Sequence, residues 1–121
     1  MDGSSVWRDY FQVAIILLNA EDVAGRSSLP VAKRALSAAR ELQFDERRLY
    51  ATAACEGLLA YCRRRYVTAE KFIEFSLANH TADQVVDRYL LLLNAEIKLA
   101  RKKYQEATRC YEQACQSTDS R

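Results

Sequence analysis

Apolar residues recur at three- and four-residue steps along almost the whole chain, the spacing of amphipathic helices. In the first segment they are Val6, Tyr10, Val13, Ala14, Leu17 and Leu18, so a helix is expected over residues 6–24, capped by Ser4 or Ser5. Gly25-Arg26-Ser27-Ser28 reads as its end. Pro30 suits the first turn of a second helix, where its missing N–H costs nothing. That helix reaches residue 42, with Ala32, Ala35, Leu36 and Ala39 on one face. Asp45 can cap a third helix that reaches residue 64, and a fourth follows over 66–79. Thr81 with Gln84 three residues on forms a capping box, which opens a fifth helix over 82–101. A sixth covers 103–116, and residues 118–121 form a polar tail. The connections within pairs are short, so paired helices should lie antiparallel.

The helices repeat. Leu17-Leu18-Asn19-Ala20-Glu21 recurs word for word as Leu92-Leu93-Asn94-Ala95-Glu96. Ala32 follows Ala20 at the same offset as Ala107 follows Ala95, and Gly57 with Ala69 is a third pair. The alanines Ala32, Ala69 and Ala107 stand 37 and 38 residues apart. Around each, five features align: Ala20, Leu29, Ala32, Leu36 and Ala39; Gly57, Tyr66, Ala69, Ile73 and Ser76; Ala95, Tyr104, Ala107, Tyr111 and Ala114. A small residue on each helix lets two backbones approach where they cross, and the large residue fills the groove beside the crossing. A helix pair cannot bury its apolar face alone, so such pairs stack and share a core.

This register resembles the tetratricopeptide repeat (TPR) family. The resemblance implies an all-α fold of three antiparallel helix hairpins stacked as a right-handed TPR-like solenoid. The chain would be one domain over 1–121, with repeats at about 5–44, 45–80 and 81–117. Some features depart from the family. Its usual period is 34 residues, so the helices here should be about a turn longer. Trp7 lies too early to be the family's helix A tryptophan, and Arg64 and Lys102 stand where a glycine is usual near the turn between helices. No polar helix follows the third repeat, so its outer face, with Cys110 and Leu99, should be exposed. That would fit a fragment of a longer array or dimerisation through this end.

Composition agrees with helices: three glycines and one proline are too few for a turn-rich sheet protein. The net charge of +2 demands neither nucleic acid nor membrane as a partner. No apolar run is long enough to span a bilayer, and residues 1–5 lack a secretion-signal pattern, so an intracellular, cytoplasmic location is expected. Cys55, Cys62, Cys110 and Cys115 include no Cys-x-x-Cys spacing and His80 is the single histidine, so the thiols read as core residues, with no metal or cofactor. His80 reads as a helix-end residue. With no phosphate loop and no paired carboxylates, no catalytic residue and no enzyme activity is expected.

Two surfaces remain as candidates. In TPR arrays helix A lines the concave groove, which here implies Leu17, Glu21, Ala54, Leu58, Tyr61, Tyr89, Leu92, Glu96 and Leu99, together with Ala14 and Ala51. Such a groove would take a peptide or an amphipathic helix of a partner protein or of a second copy of this chain. The alternative is that the helices close up and these residues are core. The places matching a carboxylate clamp are Leu17, Glu21, Cys55, Tyr89 and Leu93, none of them basic, so that specificity is not expected. The second surface is a basic rim: Arg63, Arg64 and Arg65 end one helix A, and Arg101, Lys102 and Lys103 end the next. It could meet nucleic acid or an acidic partner. It could equally reflect the preference of cations for helix C-termini, so nucleic acid is the lesser expectation.

Overall fold

A computed structural model of the chain describes the backbone of residues 6–19, 21–42, 46–78 and 84–119, and the side chains of 6–18, 28–42, 48–78 and 86–116. Among the described residues there are six helices and no strand: α1 (Val6–Asn19), α2 (Glu21–Arg40), α3 (Glu46–Cys62), α4 (Tyr66–Ala78), α5 (Gln84–Ala100) and α6 (Tyr104–Asp119). Each helix packs on the next in sequence, and α1, α3 and α5 also touch one another. The central helix α3 is covered on nearly every side: Tyr50, Ala51, Ala53, Ala54, Cys55, Leu58, Leu59 and Ala60 are buried.

The small-residue register sits at the helix crossings. Ala32, Ala39, Ala69, Ser76, Ala95, Ala107 and Ala114 are all buried; Ala20 lies outside the described residues. Ser76, near the end of α4, donates to the Tyr50 carbonyl near the start of α3 at 2.9 Å. Gly57, halfway along α3, faces Ala69 and Ile73 of α4. These pairings run in opposite directions, so α3 and α4 are antiparallel. Contacts from Glu96 to Tyr111 and from Lys98 to Glu106 establish the same for α5 and α6.

The crossing at Gly57 has no room for another atom. A Cβ there would lie 2.5 and 2.7 Å from Cδ1 and Cγ1 of Ile73, and 3.3 Å from the Ala69 carbonyl oxygen. Ile73 is itself wholly buried and cannot swing away. Gly57→Ala gains about 1 kcal/mol of helix propensity, but overpacking of this kind costs about 1–3 kcal/mol. The expected net result is a loss of about 1 kcal/mol. In an Ile73→Ala background the same change should become neutral or stabilising. A urea-denaturation cycle of the four proteins measures that reversal of sign.

The turn between α3 and α4 recurs atom for atom between α5 and α6. Arg64 N–H donates to the Tyr61 carbonyl at 2.9 Å and Arg65 N–H to the Ala60 carbonyl at 2.8 Å; Lys102 and Lys103 bond Leu99 and Lys98 at the same two distances. This double bond pattern closes a helix when the residue after it is left-handed. Arg64 and Lys102 are left-handed, with φ of 60° and 61°. The next helix then starts at once, because the carbonyls of Arg65 and Lys103 accept from Ala69 and Ala107 at 2.9 Å. A side chain in this conformation costs about 1–2 kcal/mol, part of which glycine would recover after its own loss of freedom. Arg64→Gly and Lys102→Gly should each stabilise the fold by about 0.5–1 kcal/mol, read as a higher urea midpoint at unchanged slope.

The first helix pair departs from expectation. α1 ends at Asn19, and α2 runs through 25–28 without a break, with Pro30 inside it rather than in its first turn. Glycine in a helix costs only about 1 kcal/mol, and Pro30 removes one backbone hydrogen bond. Packing on both sides of α2 outweighs them: Ser28, Ala32, Ala35, Leu36 and Ala39 are all buried, and Ser28 lies 4.0 Å from the Cys62 sulfur. The buried face of α1 also differs. Trp7, Phe11, Ala14 and Ile15 face the core, while Val6, Val13 and Ile16 are exposed, Ile16 by 55%. Apolar residues cover more than half of the helix's circumference, with Arg8, Asp9 and Gln12 on the rest, and turning Trp7 and Phe11 inward removes large apolar area from water. Trp7 meets Phe11 and Tyr50 edge-on, with ring centroids 5.9 and 6.0 Å away. The other expected boundaries shift by small amounts: α3 ends at Cys62, α4 at Ala78, α5 at Ala100 and α6 at Asp119. Residues 81–83, with the capping box, lie outside the described residues.

Candidate partner-binding site

Four helices leave a cavity of about 220 Å³ where they meet. Ile15 and Leu18, one turn apart on α1, form one wall. Tyr61 reaches in from the last turn of α3, Leu92, Leu93 and Glu96 from successive turns of α5, and Tyr111 from α6. The Tyr61 ring is steadied by Tyr66 across the turn, with centroids 5.6 Å apart. The Tyr111 hydroxyl donates to Glu96 Oε1 at 3.0 Å. Burial, and then the neighbouring carboxylate, push the Tyr111 phenol up to about 12. It therefore remains a protonated donor at neutral pH and fixes the carboxylate's orientation.

The expected groove residues divide three ways. Tyr61, Leu92 and Glu96 converge on this cavity. Ala54 and Leu58, with Ala14 and Ala51, have no exposed surface and belong to the core. That corrects their assignment to a groove: α1 touches both α3 and α5, so the face that an open array would leave bare is closed by packing. Leu17 and Tyr89 are half-buried away from the cavity lining, and Leu99 is exposed on α5. The side chain of Glu21 lies outside the described residues. Ile15, Leu18, Leu93 and Tyr111 line the cavity without having been singled out for it. Tyr111 carried a signal: it fills the large-residue place held by Leu36 and Ile73, and a buried phenol there requires a partner. Leu18 and Leu93 occupy the same place in the duplicated word.

The basic rim also divides. Arg63, Arg64, Arg65 and Lys102 are exposed. Arg101 and Lys103 are half-buried and bind Glu70, Lys103 at 3.2 Å. Glu70 also meets Lys98 at 2.8 Å, and Lys98 further binds Glu74 at 2.7 Å and Glu106 at 3.3 Å. Lys98 is only 4% exposed. Burial pushes Glu70 up and Lys98 down, but each is outweighed by the opposite charges around it. Glu70 ends below the usual glutamate range and Lys98 above the usual lysine range. This network has no counterpart in the other hairpins, where Lys33 and Ala60 occupy the matching places, so a search for repetition passes over it. At the opposite helix ends, Asp87 accepts from the Tyr50 hydroxyl at 2.9 Å; the side chains of Asp45, Glu46 and Asp83 lie outside the described residues.

The thiols are buried to different depths. Cys55 and Cys110 are buried, Cys62 is half-buried and Cys115 exposed, and none is in a disulfide. Cys110, expected on an open outer face, instead turns toward α5, 3.6 Å from the Asn94 amide nitrogen. Burial raises the thiols of Cys55, Cys62 and Cys110, which keeps them protonated at neutral pH. Among the described residues no group of three potential metal ligands occurs; His80 lies outside them. A second, shallower concavity of about 490 Å³ runs between α2, α3 and α4, with Leu49, Phe72 and Phe75 as its apolar floor. No described helix is long and apolar enough to cross a membrane. No protein-family model, curated protein or solved structure matches this chain.

Proposed function

We propose that this chain is a non-enzymatic protein-interaction module, three TPR-like helix hairpins stacked as a right-handed solenoid, that engages a segment of a partner protein at the cavity between α1, α3, α5 and α6. One observation carries the reading. Tyr61, Leu92 and Glu96, drawn from two different hairpins, share a single cavity while the residues between them are sealed in the core. The closure of α1 onto α3 and α5 changes the mode of binding from that of an open array. A whole amphipathic helix cannot lie along a face that is packed shut. What is left is a socket that takes one protruding side chain of a bound segment.

The lining suits recognition rather than reaction. Among the described residues it offers four aliphatic side chains, two phenols and one carboxylate, with no thiol or imidazole. Aromatic residues at the centre of a small concavity are the usual anchors of an interface. Exposed Arg63, Arg64 and Arg65 support the alternative of an acidic or nucleic-acid partner, though Arg101 and Lys103 are already paired with Glu70.

The test uses dodecapeptides enriched from a random displayed library on the intact protein. Their affinity should fall by more than about tenfold for Tyr61→Ala/Leu92→Ala, the effect of removing an interface anchor. It should be unchanged for Arg64→Glu. Binding that survives the double variant but is lost on Arg64→Glu would move the site to the basic rim.

A further inference from the structure

We propose that the cavity is a socket for one basic side chain, an arginine or a lysine of the bound segment. This rests on the reading of the cavity as the partner site and adds the chemistry of what enters it.

Among the described lining residues Glu96 is the one charged group, set among Ile15, Leu18, Leu92 and Leu93 and the rings of Tyr61 and Tyr111. A side chain with an aliphatic stem and a cationic head satisfies both features. The stem lies against the leucines and isoleucine. The head meets the carboxylate beside two tyrosine rings, whose π-systems attract cations. A purely apolar side chain would press the carboxylate out of water without compensation. An acidic one would be repelled.

The buried acid Glu70 has its cations built in, being met by Lys98, Arg101 and Lys103. Glu96 receives the Tyr111 hydroxyl on Oε1, and among the described residues it has no cation. Tyr111 thus orients the carboxylate without neutralising it, which leaves its charge for an incoming group. Size points the same way. Small-molecule sites occupy about 300–1,000 Å³, whereas this cavity holds about 220 Å³. That volume suits a single side chain.

Peptides enriched from the random dodecapeptide library decide the matter, measured by fluorescence anisotropy on the intact chain and on Glu96→Gln. Glutamine keeps an acceptor for Tyr111 and nearly the same shape, and removes only the charge. The enriched peptides should share an arginine or lysine beside apolar residues, and should bind Glu96→Gln at least about tenfold more weakly, as expected for loss of a charged hydrogen bond. Replacing that basic residue by norleucine should weaken binding to the wild type, and should have little further effect on Glu96→Gln. Peptides that lack a common basic residue, yet lose affinity on Tyr61→Ala/Leu92→Ala, would overturn the cation assignment and keep the cavity as the site. Peptides indifferent to both variants, or no enrichment at all, would overturn the cavity itself.

Discussion

Ala69→Phe is expected to unfold most of the protein at room temperature. Ala69 has no exposed surface and lies where α4 crosses α3 against Gly57. The carbonyl oxygen of Ala69 is so close to Gly57 that a single added carbon would press on it. A phenyl ring cannot enter without separating two helices whose neighbours are packed on their far sides. Adding even a few carbons to a full core costs about 1–3 kcal/mol. A whole ring at a backbone crossing should exceed about 4 kcal/mol, most of the stability of a small domain. Ala107→Phe should be milder. Ala107 is equally buried, but α6 packs chiefly on α5 and can tilt outward. Tyr104, at the start of α6, is 62% exposed, whereas its counterparts Leu29 and Tyr66 are half-buried. Circular dichroism with urea titration should therefore rank Ala69→Phe well below Ala107→Phe, and both below the wild type.

Lys98→Met should cost about 3 kcal/mol, because breaking a buried ion pair by removing one partner strands the other charges. It deprives Glu70 of the most deeply buried of its three cations and leaves Glu74 and Glu106 without their shared partner. Glu70→Leu should cost a similar amount. The double change Glu70→Leu/Lys98→Met should cost much less than the sum, since a matched apolar pair can replace a buried ion pair at little loss. The pH dependence has a definite sign. Glu70 titrates below its ordinary value, so its contribution is present above the unfolded glutamate pKa of about 4.3 and is lost as pH falls through its folded value. Lys98 titrates above its ordinary value, so its contribution is present below about pH 10.4 and is lost as pH rises through its folded value. Urea midpoints should be level from about pH 5 to 8 and fall above about pH 8.5, because the thiols of Cys55, Cys62 and Cys110, raised by burial, ionise first in the unfolded chain. They should also fall on the acid side, through Glu70. The fall should be shallower in the double variant.

The small-residue spacing was enough to place the helix crossings. Gly57, Ala69, Ser76, Ala95, Ala107 and Ala114 are buried where the repeat puts them, because close backbone approach admits few side chains. Arg64 and Lys102, expected to stand where a turn glycine is usual, are the left-handed non-glycine residues among those described. The first helix pair was less legible. Apolar residues cover more than half of the circumference of α1, with Arg8, Asp9 and Gln12 on the rest, so spacing alone could not choose the buried face. Gly25 and Pro30 read as punctuation but cost less than the packing of α2 on α1 and α3 returns. The division of the expected groove residues into core and cavity was also hidden. It depends on α1 reaching α5, a contact between segments far apart in sequence. The Lys98–Glu70 network was hidden for another reason: it occurs at one junction, and periodicity reports what is repeated.

Amide chemical-shift mapping with an enriched peptide measures directly where a partner segment sits. Shifts should centre on Leu18, Tyr61, Leu92, Leu93, Glu96 and Tyr111, with those of α2 and α4 small. Shifts centred instead on Arg63, Arg64, Arg65 and Lys102, or around Leu49, Phe72 and Phe75, would contradict the assignment of the cavity as the binding site.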